Sequence, residues 1–235
     1  MVMKNSTLSL AAFTAACLAT PVFGQLTITN PGFESPDVAS NDFESYDSTA
    51  FPGWTPVSGS NTSLIFVIGE DSANVPNASS GDQSLSLAVN GTDTATGLFQ
   101  SLGTLQANTD YSFSYEVGYR SDTDNPDYEV GLWGDTSGDG TPDTALHVRT
   151  QTDDATVAEG DVAMTSASST IVNSSTFTAS AIGNEFFFYI RADDATGSGQ
   201  QVLFDSVSVI PEPGAYALIG GLLALVAVML RRRGS

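Results

Sequence analysis

The side chains in this chain that could do chemistry are mostly acids. Asp and Glu number 27 against 7 Lys and Arg, a formal charge of −20 over 235 residues. Between residues 25 and 210 the bases are Arg120, Arg149 and Arg191. Such a surface repels phosphate backbones and excludes ordinary nucleic-acid binding. The single histidine, His147, alternates with Leu146 and Val148 as a strand residue would. No serine sits in a Gly-x-Ser-x-Gly elbow, and the sequence holds no phosphate loop and no dinucleotide fingerprint. One cysteine, Cys17, excludes a disulfide framework and a Cys-based zinc site. Carboxylates are abundant enough to pair as in glycoside hydrolysis, yet no spacing singles out one pair. The expectation is a non-enzymatic protein, with a glycoside hydrolase or esterase ranked last.

Binding chemistry has more support. A sugar needs an aromatic platform and planar hydrogen-bonding groups. Trp133, Tyr128 and Tyr119 are the candidate glycan platform, and an extracellular polysaccharide is the candidate partner. Trp54, after Pro52-Gly53, reads instead as a core residue, and Arg120 as the surface partner of Asp122 or Asp124. Leu203, Asp205, Val207 and Val209 alternate onto one strand face, where a carboxylate among aliphatics needs a partner. The run Asp135-Thr136-Ser137-Gly138-Asp139-Gly140-Thr141-Pro142-Asp143 resembles the start of an EF-hand loop. Position twelve is Leu146 rather than a bidentate Glu, so an Asp-Gly hairpin is the stronger reading. Asp135, Asp139 and Asp143 stay as the weaker metal candidates.

The elements that must position these residues are strands. Helical periodicity persists nowhere between 25 and 210. Tyr111, Phe113, Tyr115, Val117 and Tyr119 fall on one face of residues 110–119, and Tyr128, Val130 and Leu132 alternate likewise. Further strands are expected at 26–29, 63–68, 83–89, 97–102, 145–149, 175–178, 185–191 and 201–209, separated by Gly, Asp, Asn, Ser and Pro clusters. Residues 186–190 are apolar on both faces and should form a central strand. Residues 150–170 read as a long loop with weak strand pairing. Some ten short strands favour an all-β antiparallel β-sandwich over residues 25–209.

The succession Asn30-Pro31-Gly32-Phe33-Glu34, Gly53-Trp54, Gly81-Asp82-Gln83-Ser84-Leu85, Asn108-Thr109-Asp110-Tyr111 and Phe204-Asp205-Ser206-Val207 resembles galactose-binding-like jelly rolls, which include many carbohydrate-binding modules. That resemblance implies a structural Ca²⁺ held by a carboxylate near the first strand and one in the last, with backbone carbonyls. Glu34 and Asp205 match those positions. The alternative for Asp205 is a carboxylate hydrogen-bonded to backbone amides in a strand bend.

Both ends read as addresses. Residues 1–24 have the charge, apolar stretch and small residues of a secretory signal peptide, implying the Sec export machinery. Residues 210–235 place Pro211-Glu212-Pro213 before an uncharged apolar segment, 215–230, and Arg231, Arg232 and Arg233. As a helix that segment is about 24 Å long, close to a bilayer's apolar thickness. The prolines should hold the motif out of secondary structure. This tail resembles the PEP-CTERM sorting signal, which implies an exosortase partner and one C-terminal transmembrane helix. The expected protein is an exported, inner-membrane-anchored precursor that matures at the cell surface or in the extracellular matrix. A dedicated carbohydrate-binding module is the alternative.

Overall fold

The computed structural model describes residues 26–90, 95–123, 125–151, 164–169, 172–193 and 198–212. Twelve strands follow in chain order: β1 (Phe43–Ser45), β2 (Thr55–Pro56), β3 (Ile65–Gly69), β4 (Gln83–Asn90), β5 (Thr96–Thr104), β6 (Asp110–Tyr119), β7 (Asp127–Gly134), β8 (Thr144–Thr150), β9 (Thr165–Ser168), β10 (Val172–Asn173), β11 (Glu185–Asp193) and β12 (Ser198–Glu212). They form two antiparallel sheets. The seven-stranded sheet runs β1-β3-β4-β12-β6-β10, with β9 also on β6; the five-stranded sheet runs β2-β5-β11-β7-β8. This is a jelly-roll-like sandwich.

Period-two patterning explains the core. Tyr111, Phe113, Tyr115, Val117 and Tyr119 of β6 point inward and meet Phe186, Phe188 and Ile190 of β11 and Tyr128, Val130 and Leu132 of β7. β11 is the middle strand of its sheet, hydrogen-bonded to β5 on one side and β7 on the other, as its two apolar faces require.

Local structure departs from the sequence expectation in three places, and the weak pairing expected within residues 150–170 is present. Residues 26–29 join no ladder; the Gln100 amide clamps Thr29 instead, accepting from its N–H at 2.5 Å and donating to its carbonyl at 3.0 Å. Residues 175–178 overlap a 3₁₀ turn, Ser174–Thr176, capped by Asn173. The short strands β1 and β2 carry no readable alternation. Within the expected loop, β9 pairs with β6 from Ser114↔Ser168 to Val117↔Thr165.

The tail also differs. β12 continues through Pro211 and Glu212, opposite Tyr111 and Asp110 of β6, so the first proline does not hold this segment out of the sheet. By then β12 has left β4, whose pairing ends at Phe204↔Leu85, and a residue without an N–H is tolerated on a one-sided strand. Pro213, Arg231, Arg232, Arg233, the apolar segment 215–230 and the expected signal peptide lie outside the described residues. Among the described residues no helix is long and apolar enough to cross a membrane. The reading of a transmembrane helix and an inner-membrane-anchored precursor is withdrawn.

Candidate functional site

The outer face of the five-stranded sheet collects the chemistry. Residues pointing away from the core on β11 are Phe187, Tyr189, Arg191 and Asp193, and on β7 they are Asp127, Glu129, Gly131 and Trp133. The register sets Phe187 opposite Trp133, Tyr189 opposite Gly131, Arg191 opposite Glu129 and Asp193 opposite Asp127. Because Gly131 offers no side chain, the Trp133 indole stacks diagonally on Tyr189, with ring centroids 4.6 Å apart and planes at 26°. Phe99 of β5 meets Phe187 edge-on at 5.3 Å. These aromatics form a second apolar cluster, separate from the core, with Tyr189 only 3% exposed and Trp133 half-buried against it.

Along the strands the face turns from aromatic to charged. Asp127, Tyr128, Glu129, Thr150, Gln151, Arg191 and Asp193 line a recess of about 300 Å³. The Arg191 guanidinium bonds Asp193 at 2.5 Å through Nη2. Burial raises the Glu129 pKa from its ordinary value, although a hydrogen bond from the Trp133 indole and the charge of the Arg191 guanidinium favour the ionised form. Burial likewise pushes the Tyr189 phenol up. Glu129 Oε1, Trp133 Nε1 and Arg191 Nε are shielded from solvent without a well-formed hydrogen bond, although the Trp133 indole and the Arg191 guanidinium both act on the Glu129 carboxylate.

Of the expected platform, only Trp133 lies on this face. Tyr119 and Tyr128 are 2% and 3% exposed and sit in the core, 6.2 Å from each other. A stacking platform must be accessible, so these two are corrected to interior residues. Their inward direction follows from the same alternation that sends Glu129 and Trp133 outward. The sequence reading missed Glu129, Tyr189 and Arg191. The available signal was the outward set of β7 and β11, and it gains meaning only once the two strands are paired. His147 lies 5.7 Å from the Phe113 ring, and Arg120 bonds Asp122 at 2.5 Å on the surface.

Glu34 and Asp205 do come together, at the edge of the seven-stranded sheet. β12 shifts register between Asp205 and Ser208, and Ser206 adopts φ 52°, so the strand bulges. The bulge breaks the expected common face: Val202 and Phe204 point to the core before it, and Val207 and Val209 after it. Asp205 therefore faces outward, yet it is 0% exposed. Its Oδ2 accepts from Ser79 N–H at 3.0 Å, Ser79 Oγ–H at 2.9 Å and Ser80 N–H at 3.0 Å, and its Oδ1 from Ser206 N–H at 2.6 Å. Glu34 accepts from Asp82 N–H at 3.2 Å and Gln83 N–H at 3.3 Å. Desolvation, reinforced by repulsion from Asp205, raises the Glu34 pKa. A Cβ on Gly32 would come within 3.4 Å of Asp205 Oδ1 and 3.8 Å of the Ser80 carbonyl, so the glycine leaves a small oxygen-lined space.

The Asp-rich loop closes on itself. Asp135 accepts from the N–H groups of Gly138 at 2.5 Å and Gly140 at 2.8 Å, and Asp143 from those of Thr136 at 3.0 Å and Ser137 at 2.8 Å. Asp139 accepts from Thr141 N–H at 2.9 Å. These bonds lower the pKa values of Asp135 and Asp143. The loop has the bonding of an Asp-Gly hairpin. Among the described residues no group of three or more His, Cys, Asp or Glu is placed to hold a metal.

A family model described as HpiC1-like, HpiC1 cyclase, matches residues 24–210. The chain belongs to the HpiC1-like family. Membership in a family described as a cyclase overturns the non-enzymatic expectation. It also replaces the exosortase-substrate reading, because the matching family is not one defined by a PEP-CTERM sorting signal. No curated protein matches the chain. Among solved structures the HpiC1-like chain is similar to the arabinose-bound α-L-arabinofuranosidase MgGH51, at 21% identity and TM-score 0.53, over 80% of this chain and 27% of that one. It thus spans little more than a quarter of the arabinofuranosidase, and the likeness shows the fold alone. TmCBM61 in complex with β-1,4-galactotriose matches at 10% identity and TM-score 0.45, over 80% of this chain and 99% of that one. The CBM22-1 xylan-binding domain of Paenibacillus barcinonensis Xyn10C matches at 16% identity and TM-score 0.39, over 74% of this chain and 97% of that one.

Proposed function

We propose that this HpiC1-like chain binds a hydroxylated ring ligand of carbohydrate type across the outer face of its five-stranded sheet, and that Glu129 moves a proton on the bound ligand. The Trp133 indole, stacked on Tyr189 beside the recess that holds Glu129 and Arg191, carries this reading. The ring stacks on Trp133, the aromatic of this face that is only partly buried. Its hydroxyls accept from Trp133 Nε1–H and Arg191 Nε–H and donate to Glu129 Oε1. Burial raises the Glu129 pKa, the direction that suits a general acid. Acid-assisted ring closure or opening is the reaction class that joins this site to a family described as a cyclase.

The test separates binding from chemistry. Soluble oligosaccharides are titrated against wild type, Trp133→Ala and Glu129→Gln, and the bound sugars are followed by NMR. Trp133→Ala should lose about tenfold or more in affinity, or ~1.4 kcal/mol. Glu129→Gln should retain binding and lose roughly 10²-fold in turnover. Wild-type affinity in Trp133→Ala would overturn the assignment of the face.

A structural Ca²⁺ between Glu34 and Asp205 belongs to the same proposal. Oxygen donors suited to calcium are present in Glu34, Asp205 Oδ1 and the Ser80 carbonyl beside Gly32. The ion would tie the N-terminal segment to the bulge of β12. Thermal melts with calcium and with chelator should differ by several degrees, and Asp205→Asn should abolish the difference. Coincident melts of the wild type would remove the ion.

A further inference from the structure

We propose that Asp193 is a positioning residue for Glu129: by holding the Arg191 guanidinium along β11, it keeps that cation from closing a two-point pair with the Glu129 carboxylate on β7. This inference rests on the proposed role of Glu129 and deepens it. Arg191 and Glu129 are direct partners in the β7–β11 register, and Asp193 follows on the same face of β11. One guanidinium therefore has a carboxylate across the strands and another along its own strand. It bonds the second, Nη2 to Asp193 Oδ2 at 2.5 Å. On its other flank β5 offers Gly97, which has no side chain to hold it. The pair engages Nη2, and Arg191 Nε and Glu129 Oε1 are both shielded from solvent without a well-formed hydrogen bond. Release of Arg191 would bring that donor to that acceptor, and a guanidinium fork on a carboxylate holds it ionised. A proton donor must avoid that state. No second cation faces Glu129. Asp127 on its own strand is an acid, and β11 adds the Tyr189 phenol. β8 sets uncharged Thr150 opposite Glu129, while Arg149 falls opposite Val130, on the other face. The charges of Arg191 and Asp193 act on the Glu129 carboxyl in opposite directions, as this arrangement requires.

The experiment follows the Glu129 side-chain carboxyl by carbon-13 NMR through a pH titration of the full chain, its resonance being the one absent from Glu129→Gln. At the pH where the wild type is half-ionised, Asp193→Asn should hold about threefold or more ionised over protonated carboxyl, a shift of the curve to lower pH damped by the partial exposure of the pair. Asp193→Glu, which keeps the charge, should follow the wild-type curve. Removing Asp193 also removes a negative charge, so the same change is made in an Arg191→Gln background, where it should shift the curve by less than about half as much. An equal shift in both backgrounds would reduce Asp193 to a general charge and overturn the positioning role. A curve unmoved by Asp193→Asn would overturn it too, and would leave the binding face standing, since Trp133→Ala tests that face by affinity. A curve that depends on Asp193 through Arg191, with turnover unchanged in Glu129→Gln, would uphold the hold on Arg191 and overturn the acid role of Glu129 instead.

Discussion

Glu129 is held between opposing influences. Burial disfavours its charge, while Trp133 and Arg191 favour it, and burial prevails. A carboxyl whose folded pKa lies above its unfolded value stabilises the fold fully at low pH and loses that contribution as pH rises through the folded pKa. Glu129→Gln cannot ionise. Its melting temperature relative to wild type should therefore rise as pH is raised from about 4 to about 7. A constant gap over that range would mean that Glu129 ionises as freely in the folded protein as in the unfolded chain. Asp205 contrasts with it: four donors converge on its carboxylate, and its role is to tie residues 79–80 to the bulge.

At the scale of elements, the alternating strands were legible and the irregular ones were not. Residues 110–119 declare their inward face by spacing alone, and residues 186–190 declare a central strand because they have no polar side. Alternation assumes an unbroken strand, so it placed Leu203, Asp205, Val207 and Val209 together where the bulge at Ser206 separates them. The proposed face stayed hidden for a related reason. Glu129, Trp133, Tyr189 and Arg191 come from two strands more than fifty residues apart, and only register makes them neighbours. The N-terminal segment, held by Gln100 and Gln83 side chains rather than by a ladder, likewise carries no periodic signal. It depends on close contacts: a Cβ on Gly81, at φ 77°, would overlap the Glu34 carboxylate. Gly81→Ala should cost about 1–3 kcal/mol in chemical denaturation, through left-handed strain and displacement of Glu34. A loss under about 0.5 kcal/mol, the size of an ordinary surface change, would show that the contact is dispensable.

The whole molecule is an acidic sandwich of two antiparallel sheets, and the proposed binding face lies on the outer side of the five-stranded one. The N-terminal loop closes one end of the core: Phe33 packs on Trp54 at 5.1 Å, and Trp54 meets Phe188 at 6.4 Å and donates from Nε1 to the Asn30 carbonyl. Composition identified this body and its charge. Family membership, which no single motif in the chain conveyed, overturned the non-enzymatic expectation that the scan for catalytic signatures had given. The two tryptophans divide between the core and the proposed site, which gives direct access to the central claim. In a Trp54→Phe variant all indole fluorescence comes from Trp133. Titrating a bound oligosaccharide should shift and quench that emission with the same midpoint that calorimetry gives for binding. A ligand that binds by calorimetry and leaves the Trp133 emission unchanged would place the site elsewhere on the molecule and contradict the account.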